Sequence, residues 1–507
     1  MTAEAVQQPQ RPDAEGDPAH APRKRLLVHG LMLVLSQFLT MPLSVLLNAV
    51  LARSLGADEF GVIYLASTMV SFGFLLVDWG QGATVPARVA QKREQAGETL
   101  ATSVAMKLAA TAVVGVGLML VALALGYSGL VYVALALTIA QQALVSLSLS
   151  FTSVLRAFER FDWVSASNVA NNVLTAALVI PVALLGGRLA GTLTAQVVAA
   201  MLALLVSVWL TMKLGFGRSG ATRPMARELL LAGRGFVLLN LVLSLQPSID
   251  AAILTEFVAP AAVGWFGAAR RLVGVLIFPG TTLSYMVYPT LARLWTEDRA
   301  RYTALAASTL RLIILLGFCA SMGTYLYADV AVRVVYGREA FGPTVVDLQV
   351  LSPFVLLVYL TMILGLAIAT SGKQVPWAGA QSLCIVVSVV LDPLLIPICE
   401  RRYGNGGLGV CISTVISEVL MLAAAPIILR GQGLVRPMAK ALPPSLAGGA
   451  AMWGVAWILR GVPAPVSMVA SVLGFLCVAY ALGGIDREHV ALLRGVLRSK
   501  SRKPVQA

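Results

Sequence analysis

Long apolar runs, each about the length of a membrane crossing, fill this chain almost from end to end, and positive charge gathers in every second gap between them. No other feature limits the fold as strongly. A bilayer core about 30 Å thick takes roughly 20 apolar residues per helix. Every backbone polar group there must be satisfied within the segment, which leaves helices as the form for such runs. Of 507 residues, 58% are hydrophobic and 12% charged, and the mean hydropathy is +0.83. A soluble core has no use for that much apolar surface. The expected class is an all-α polytopic membrane protein.

Cutting at charged and Gly/Pro-rich breaks gives spans near 28–51, 61–84, 101–125, 130–154, 164–186, 190–212 and 236–257. They continue at 263–288, 304–327, 346–370, 375–398, 407–429, 443–460 and 464–484, about fourteen in all. Most of the 38 Lys and Arg residues fall in alternate connectors, among them Arg23, Lys24, Arg25, Arg88, Lys92, Arg93, Arg218, Arg223 and Arg227. The opposite connectors hold only Arg53, Arg188, Arg333, Arg338, Arg401, Arg402 and Arg460. This bias predicts both termini in the cytoplasm.

The net charge of +14 therefore has a topological cause, and no basic stripe interleaved with aromatics suggests nucleic acid. The five cysteines lie in or beside apolar runs, form no CxxC pair and have no histidine nearby, so they read as small core residues rather than a metal site. No phosphate-binding loop is present, and no cofactor is implied. Residues 1–25, with Pro9, Pro12, Pro18 and Pro22, read as a disordered cytoplasmic tail. The run that follows is too long for a signal-peptide core and reads as a retained first helix. The longest outer loop, near 328–345, offers only Asp329, Arg333, Arg338 and Glu339. That is too little for a membrane glycosyltransferase or polymerase, so a non-enzymatic role is expected.

The stretch from Asn48 to Gly61 (NAVLARSLGADEFG) matches Asp250 to Gly264 (DAAILTEFVAPAAVG) with one extra residue. Each copy ends one span and opens the next, the first at spans 1 and 2, the second at spans 7 and 8. The repeat unit is thus six helices, and an even number keeps both copies in one orientation, related by an axis along the membrane normal. The expected organisation is an N-lobe at 26–212, a cytoplasmic linker at 213–235, a C-lobe at 236–430, two more helices at 431–484 and a basic tail at 485–507.

Three motifs stand in order along this frame: LARSLGADEFG at 51–61 with Asp78-Trp79-Gly80; Asp250 followed by VGWFGAAR at 263–270; and LDPLLIP at 391–397 followed by YGNGGLG at 403–409. In these the chain resembles the polysaccharide (O-antigen type) flippases of the multidrug/oligosaccharidyl-lipid/polysaccharide exporter superfamily. The resemblance covers about residues 26–484. It implies fourteen helices, two lobes around a central cavity, and alternating access that turns undecaprenyl-diphosphate-linked oligosaccharide from the cytoplasmic to the outer face of the bacterial inner membrane. Partners would be the lipid-linked oligosaccharide, membrane lipid and a polysaccharide polymerase or ligase. The alternatives are a peptidoglycan lipid-linked precursor flippase and a drug/cation antiporter of the same superfamily.

Ionisable residues inside a membrane cost several kcal/mol unless paired or hydrated, so each is a functional candidate. Arg270 and Arg271, about two turns into span 8, suit a diphosphate because a guanidinium stays charged and donates in pairs. One of them should face the cavity, since adjacent helical residues point about 100° apart. Asp250 is a partner to the pair or part of the substrate site. Asp78 is a cavity counter-charge or an interfacial partner of Arg88, and Asn172, with Asn168 and Asn171, offers amides to a sugar or to neighbouring helices. Glu418 and Asp392 are the ion-coupling candidates, and Arg53 is a gate residue paired with Glu59 or Glu256. Lys107 and Arg311 are expected to snorkel to headgroups. Prolines inside spans (Pro42, Pro181, Pro247, Pro279, Pro353, Pro393 and Pro397) are candidate hinges. The three histidines lie near the termini, which removes a mid-membrane histidine relay.

Overall fold

The computed structural model describes residues 21–217, 219–430 and 435–484, and every regular element among them is helical. The expected tails at 1–20 and 485–507 lie outside the described residues. The first part comprises α1 (Ala21–Asp78), α2 (Gln81–Gln91), α3 (Ala96–Ala124), α4 (Gly129–Ala157), α5 (Phe161–Leu184) and α6 (Arg188–Met212). The second comprises α7 (Arg223–Phe257), α8 (Pro260–Glu297), α9 (Arg299–Leu326), the short α10 (Ala328–Val335) and α11 (Arg338–Phe341), then α12 (Thr344–Thr370), α13 (Gln374–Tyr403) and α14 (Gly407–Ile428). Two more helices, α15 (Val435–Ile458) and α16 (Ala464–Ala481), complete it.

The sequence breaks mark these helix ends closely. Gly56 divides α1 with φ 74 and ψ 178, a conformation that only glycine adopts without strain. It separates the two segments expected as spans 1 and 2. Two expectations move. Helix α1 begins at Ala21, inside the expected tail, because Pro22 is tolerated in a first turn and the basic residues after it are good helix formers. Residues 223–235, expected as linker, form the first turns of α7, where Thr222 caps the helix by accepting from the Met225 N–H. All seven prolines named as hinges sit inside helices that run on through them.

Eleven helices among the described residues are long and apolar enough to cross a membrane. Helix α1 counts once there despite its break. Helices α7 and α15 are not among the eleven. The number fourteen stays an expectation from the sequence; the all-helical, multi-pass architecture is observed.

Packing separates two lobes. Helix α1 joins α3 to α6, and α7 to α9 join α12 to α14, with α15 and α16 docked on α9. We call the end carrying Arg93, Arg160 and Arg299 the basic end and the other the far end. Small residues allow the closest approaches. Gly449 of α15 faces Phe318 of α9, where an added Cβ would lie 2.4 Å from the ring. Between the lobes the main contact is α1 with α8, and α7 adds contacts to α1, α2 and α3.

Candidate functional site

The far end is closed by the two copies of the sequence repeat meeting each other. A Cβ built on Gly61 would lie 2.0 Å from the Pro260 carbonyl oxygen, and one built on Gly264 would lie 2.1 Å from that of Ala57. The contact is reciprocal, as an axis relating the copies requires. Beside it Phe60 is fully buried, with its ring 5.9 Å from Tyr336 and 5.6 Å from Phe341 of the other lobe. Arg53 reaches across as well. Its Nε donates to the Val335 carbonyl at 3.0 Å and its Nη2 to Arg333 at 3.4 Å and to Val334. These are terminal carbonyls of α10, which lack partners within their helix and carry its negative dipole end. Arg53 thus bridges the lobes, though not through the acids expected: Glu59 instead binds Arg188 at 2.9 Å and the Leu189 N–H at 2.8 Å.

Beneath this seal a cavity of about 720 Å³ opens between the lobes. Thr40, Ser44 and Asn48 of α1 line one wall, Asn168, Asn171 and Asn172 of α5 another, and Arg271 with Tyr336 closes the top. No Asp or Glu is among the described lining residues. The three asparagines share one helix face, as their spacing predicted, and that face lines the cavity. Asn172 donates to the Asn168 carbonyl at 2.9 Å and accepts weakly from Ser44 at 3.4 Å, which leaves amide capacity toward the cavity.

Arg270 and Arg271 part company. Arg271 lines the cavity, donates to Asn48 Oδ1 and lies 4.6 Å over the Phe60 ring. Arg270 turns into the C-lobe, 5.1 Å over Phe354 and within electrostatic reach of Asp250 and Glu418. Asp250, 1% exposed, and Asp392, 0% exposed, lie side by side there. Ser388 donates to Asp250 at 3.0 Å and Ser413 donates to Asp392. Two adjacent carboxylates in a dry interior repel each other unless their charge is offset. Glu418 accepts from Thr361 at 2.5 Å. The acids expected as ion-coupling residues thus gather in the C-lobe interior together with Asp250, which is absent from the cavity wall.

Asp78 also stands away from the cavity. It lies at the basic end of α1, paired with Lys107 Nζ at 3.0 Å. Lys107 is 1% exposed and does not snorkel. It sits about 16 Å into α3 by helical rise, and it also donates to the Ser146 carbonyl at 3.0 Å. The neighbouring turn, with Trp79 at φ 44 and Gly80 at φ 70, meets α7: Trp79 Nε1 donates to the Leu230 carbonyl at 3.0 Å. Arg88, weighed as the partner of Asp78, pairs with Glu228 at 2.6 Å.

Several residues of the site escaped the sequence reading, among them Ser44, Tyr336, Asn48 and Phe60. Asn48 carried a signal, since it opens the first repeat copy opposite Asp250 in the second. Phe60 carried none, because an apolar residue among apolar residues is invisible before packing.

Residues 26–295, more than half of the chain, match the family model described as polysaccharide biosynthesis protein. No curated protein matches the chain in sequence. Among solved structures, the inward closed form of the lipid II flippase MurJ superposes with TM-score 0.69 at 13% identity, over 90% of this chain and 98% of that one. An inward-facing multidrug resistance MATE family transporter of the MOP superfamily gives 0.63 at 16% identity, over 80% and 95%. A variant of the Vibrio cholerae MATE transporter VcmN gives 0.54 at 14%, over 82% and 98%. At such identities the likeness concerns the fold, the same two-lobed helical fold the residues built here. The chain belongs to the polysaccharide biosynthesis protein family.

Proposed function

We propose that this protein moves an undecaprenyl-diphosphate-linked oligosaccharide across the bacterial inner membrane by alternating access, with the basic end and both termini in the cytoplasm. One observation carries the reading: among its described lining residues, the cavity between the lobes presents a single cation, Arg271, above a wall of asparagine and hydroxyl groups, and no carboxylate. Arg271 would hold the diphosphate by charge-assisted hydrogen bonds, and Asn168, Asn171, Asn172 and Ser44 would bind sugar hydroxyls. The prenyl chain would stay in lipid. A cationic drug would find repulsion in this cavity, which disfavours the antiporter reading. A lipid-linked peptidoglycan precursor presents the same diphosphate, so competition between the two headgroups separates those substrates.

Arg53 and the Gly61–Gly264 contact serve as the far-end gate in this scheme. Asp250 and Asp392 form the ion-coupling site, where a proton or sodium ion would offset the carboxylates. A polymerase or ligase would consume the product on the outer face.

The test is flipping of fluorescent undecaprenyl-diphosphate oligosaccharide in proteoliposomes. Arg271→Ala is expected to abolish flipping in protein that still folds, while Arg271→Lys keeps part of it. Unchanged flipping by Arg271→Ala overturns the reading.

A further inference from the structure

The two adjacent arginines of α8 reach for equivalent positions in the two lobes. Asn48 and Asp250 open the two copies of the repeat; Arg270 lies near Asp250 within its own lobe, and Arg271 crosses to Asn48 in the other. Asn48 is further oriented by donating from Nδ2 to the Ser44 carbonyl at 2.8 Å. Its Oδ1 is thereby aimed at the guanidinium, which the Phe60 ring holds from the opposite lobe as well. The one cation among the cavity's described lining residues is therefore engaged, in the closed state, in a hydrogen bond between the lobes.

We propose that Asn48 competes with the substrate's diphosphate for Arg271, so that phosphate binding releases an interlobe bond and loosens the far-end seal. This rests on Arg271 as the phosphate-binding group. The competition follows from hydrogen-bond capacity and charge. A neutral amide oxygen offers a guanidinium one weak acceptor, whereas a phosphate offers several charged ones in the geometry of its fork. An amide strong enough to hold the empty state closed and weak enough to be displaced is what a trigger at this position needs. Linkage then makes the effect reciprocal: the factor by which phosphate binding favours opening is the factor by which opening favours phosphate binding.

The sign of the effect separates this role from a merely structural one. Asn48→Ala removes the competitor without touching Arg271. Purified protein in nanodiscs should then bind undecaprenyl diphosphate more tightly, on the order of tenfold for the loss of one hydrogen bond to a charged group. The far end should also open more often in the absence of that probe. Asn48→Asp replaces the amide with a charged competitor, and should weaken probe binding and keep the far end closed even when the probe is present. Far-end opening is read as the distance distribution between spin labels on the two lobes. If Asn48→Ala does not fold, Asn48→Ser, whose hydroxyl is too short to reach Arg271, takes its place. Opposite shifts for the Ala and Asp variants support the proposal; shifts in the same direction, or none, overturn it. Arg271→Ala is the control for the underlying reading. If that variant binds the probe as wild type does, the phosphate-binding assignment fails. If it loses binding while the Asn48 variants do not diverge, only the trigger fails.

Discussion

Replacing Gly61 with alanine should pry the far ends of the lobes apart. The added Cβ would sit 2.0 Å from the Pro260 oxygen, 2.8 Å from the Gly264 nitrogen and 3.0 Å from the Pro260 carbonyl carbon. A carbon and a carbonyl oxygen settle no closer than about 3.3 Å, so α1 and α8 must separate by about 1.3 Å. All three obstacles are backbone atoms, and no rotamer change can relieve them. Overpacking of this kind costs about 1–3 kcal/mol. The strain exists only while the lobes touch, so it falls on the closed state and should raise the open-to-closed ratio by roughly 5- to 150-fold, at 1.4 kcal/mol per factor of ten. Spin labels at Leu185→Cys and Tyr403→Cys report it, since both positions are exposed, 87% and 62%, on far-end connectors of different lobes. Cys477, the exposed native cysteine, is first replaced by serine. The long-distance population should grow in Gly61→Ala and equally in Gly264→Ala. The double variant should add little, because one separation accommodates both methyl groups. Folded Gly61→Ala protein with a wild-type distance distribution would refute the reasoning, since the contact would then be no part of a seal that moves.

Other consequences follow from the charges. Arg270→Ala should lower thermal stability, because removing one member of a buried charge group costs about 3–5 kcal/mol; a Tm close to wild type would show that Asp250 does not depend on it. Asp78→Ala should destabilise more than Lys107→Met, because it strands a cation that is 1% exposed, whereas the Asp78 side chain is 32% exposed and retains water. Thermal unfolding of the two variants in detergent decides the order, and the reverse order would count against the burial argument. Arg53→Ala should increase the far-end-open population in the same spin-label experiment while leaving binding of undecaprenyl diphosphate in a closed-state-trapped protein unchanged. Loss of that binding would place Arg53 in the substrate site instead.

Several features of this architecture were legible before any coordinates. Hydropathy and the breaks between apolar runs located the long helices, though not the short α2, α10 and α11, because a segment in lipid must close its own hydrogen bonds and its ends are marked by charge, glycine and proline. The repeat from Asn48 to Gly61 identified where the lobes correspond, and the Asn168, Asn171 and Asn172 spacing placed three amides on one helix face. Lys107 was misread because snorkelling is judged from distance along one helix, while its partner Asp78 arrives from another. Arg53, expected to pair with Glu59 or Glu256, donates instead to carbonyls at the end of α10, and such acceptors leave no trace in side-chain identity.

What the sequence determined by itself is therefore what a single helix in a bilayer must satisfy: length, apolarity, the sidedness of charge, and the spacing of residues along one face. Tertiary structure alone decided which neighbour each polar group meets. Arg270 and Arg271 differ by about 100° of helical rotation, and nothing in their own sequence says which direction holds a cavity and which holds Asp250. That depends on how α8 lies against α1 and α12. Gly61 and Gly264 were likewise visible as aligned glycines, but their role as the point where the lobes close depends on two backbones approaching within a distance that any side chain would forbid.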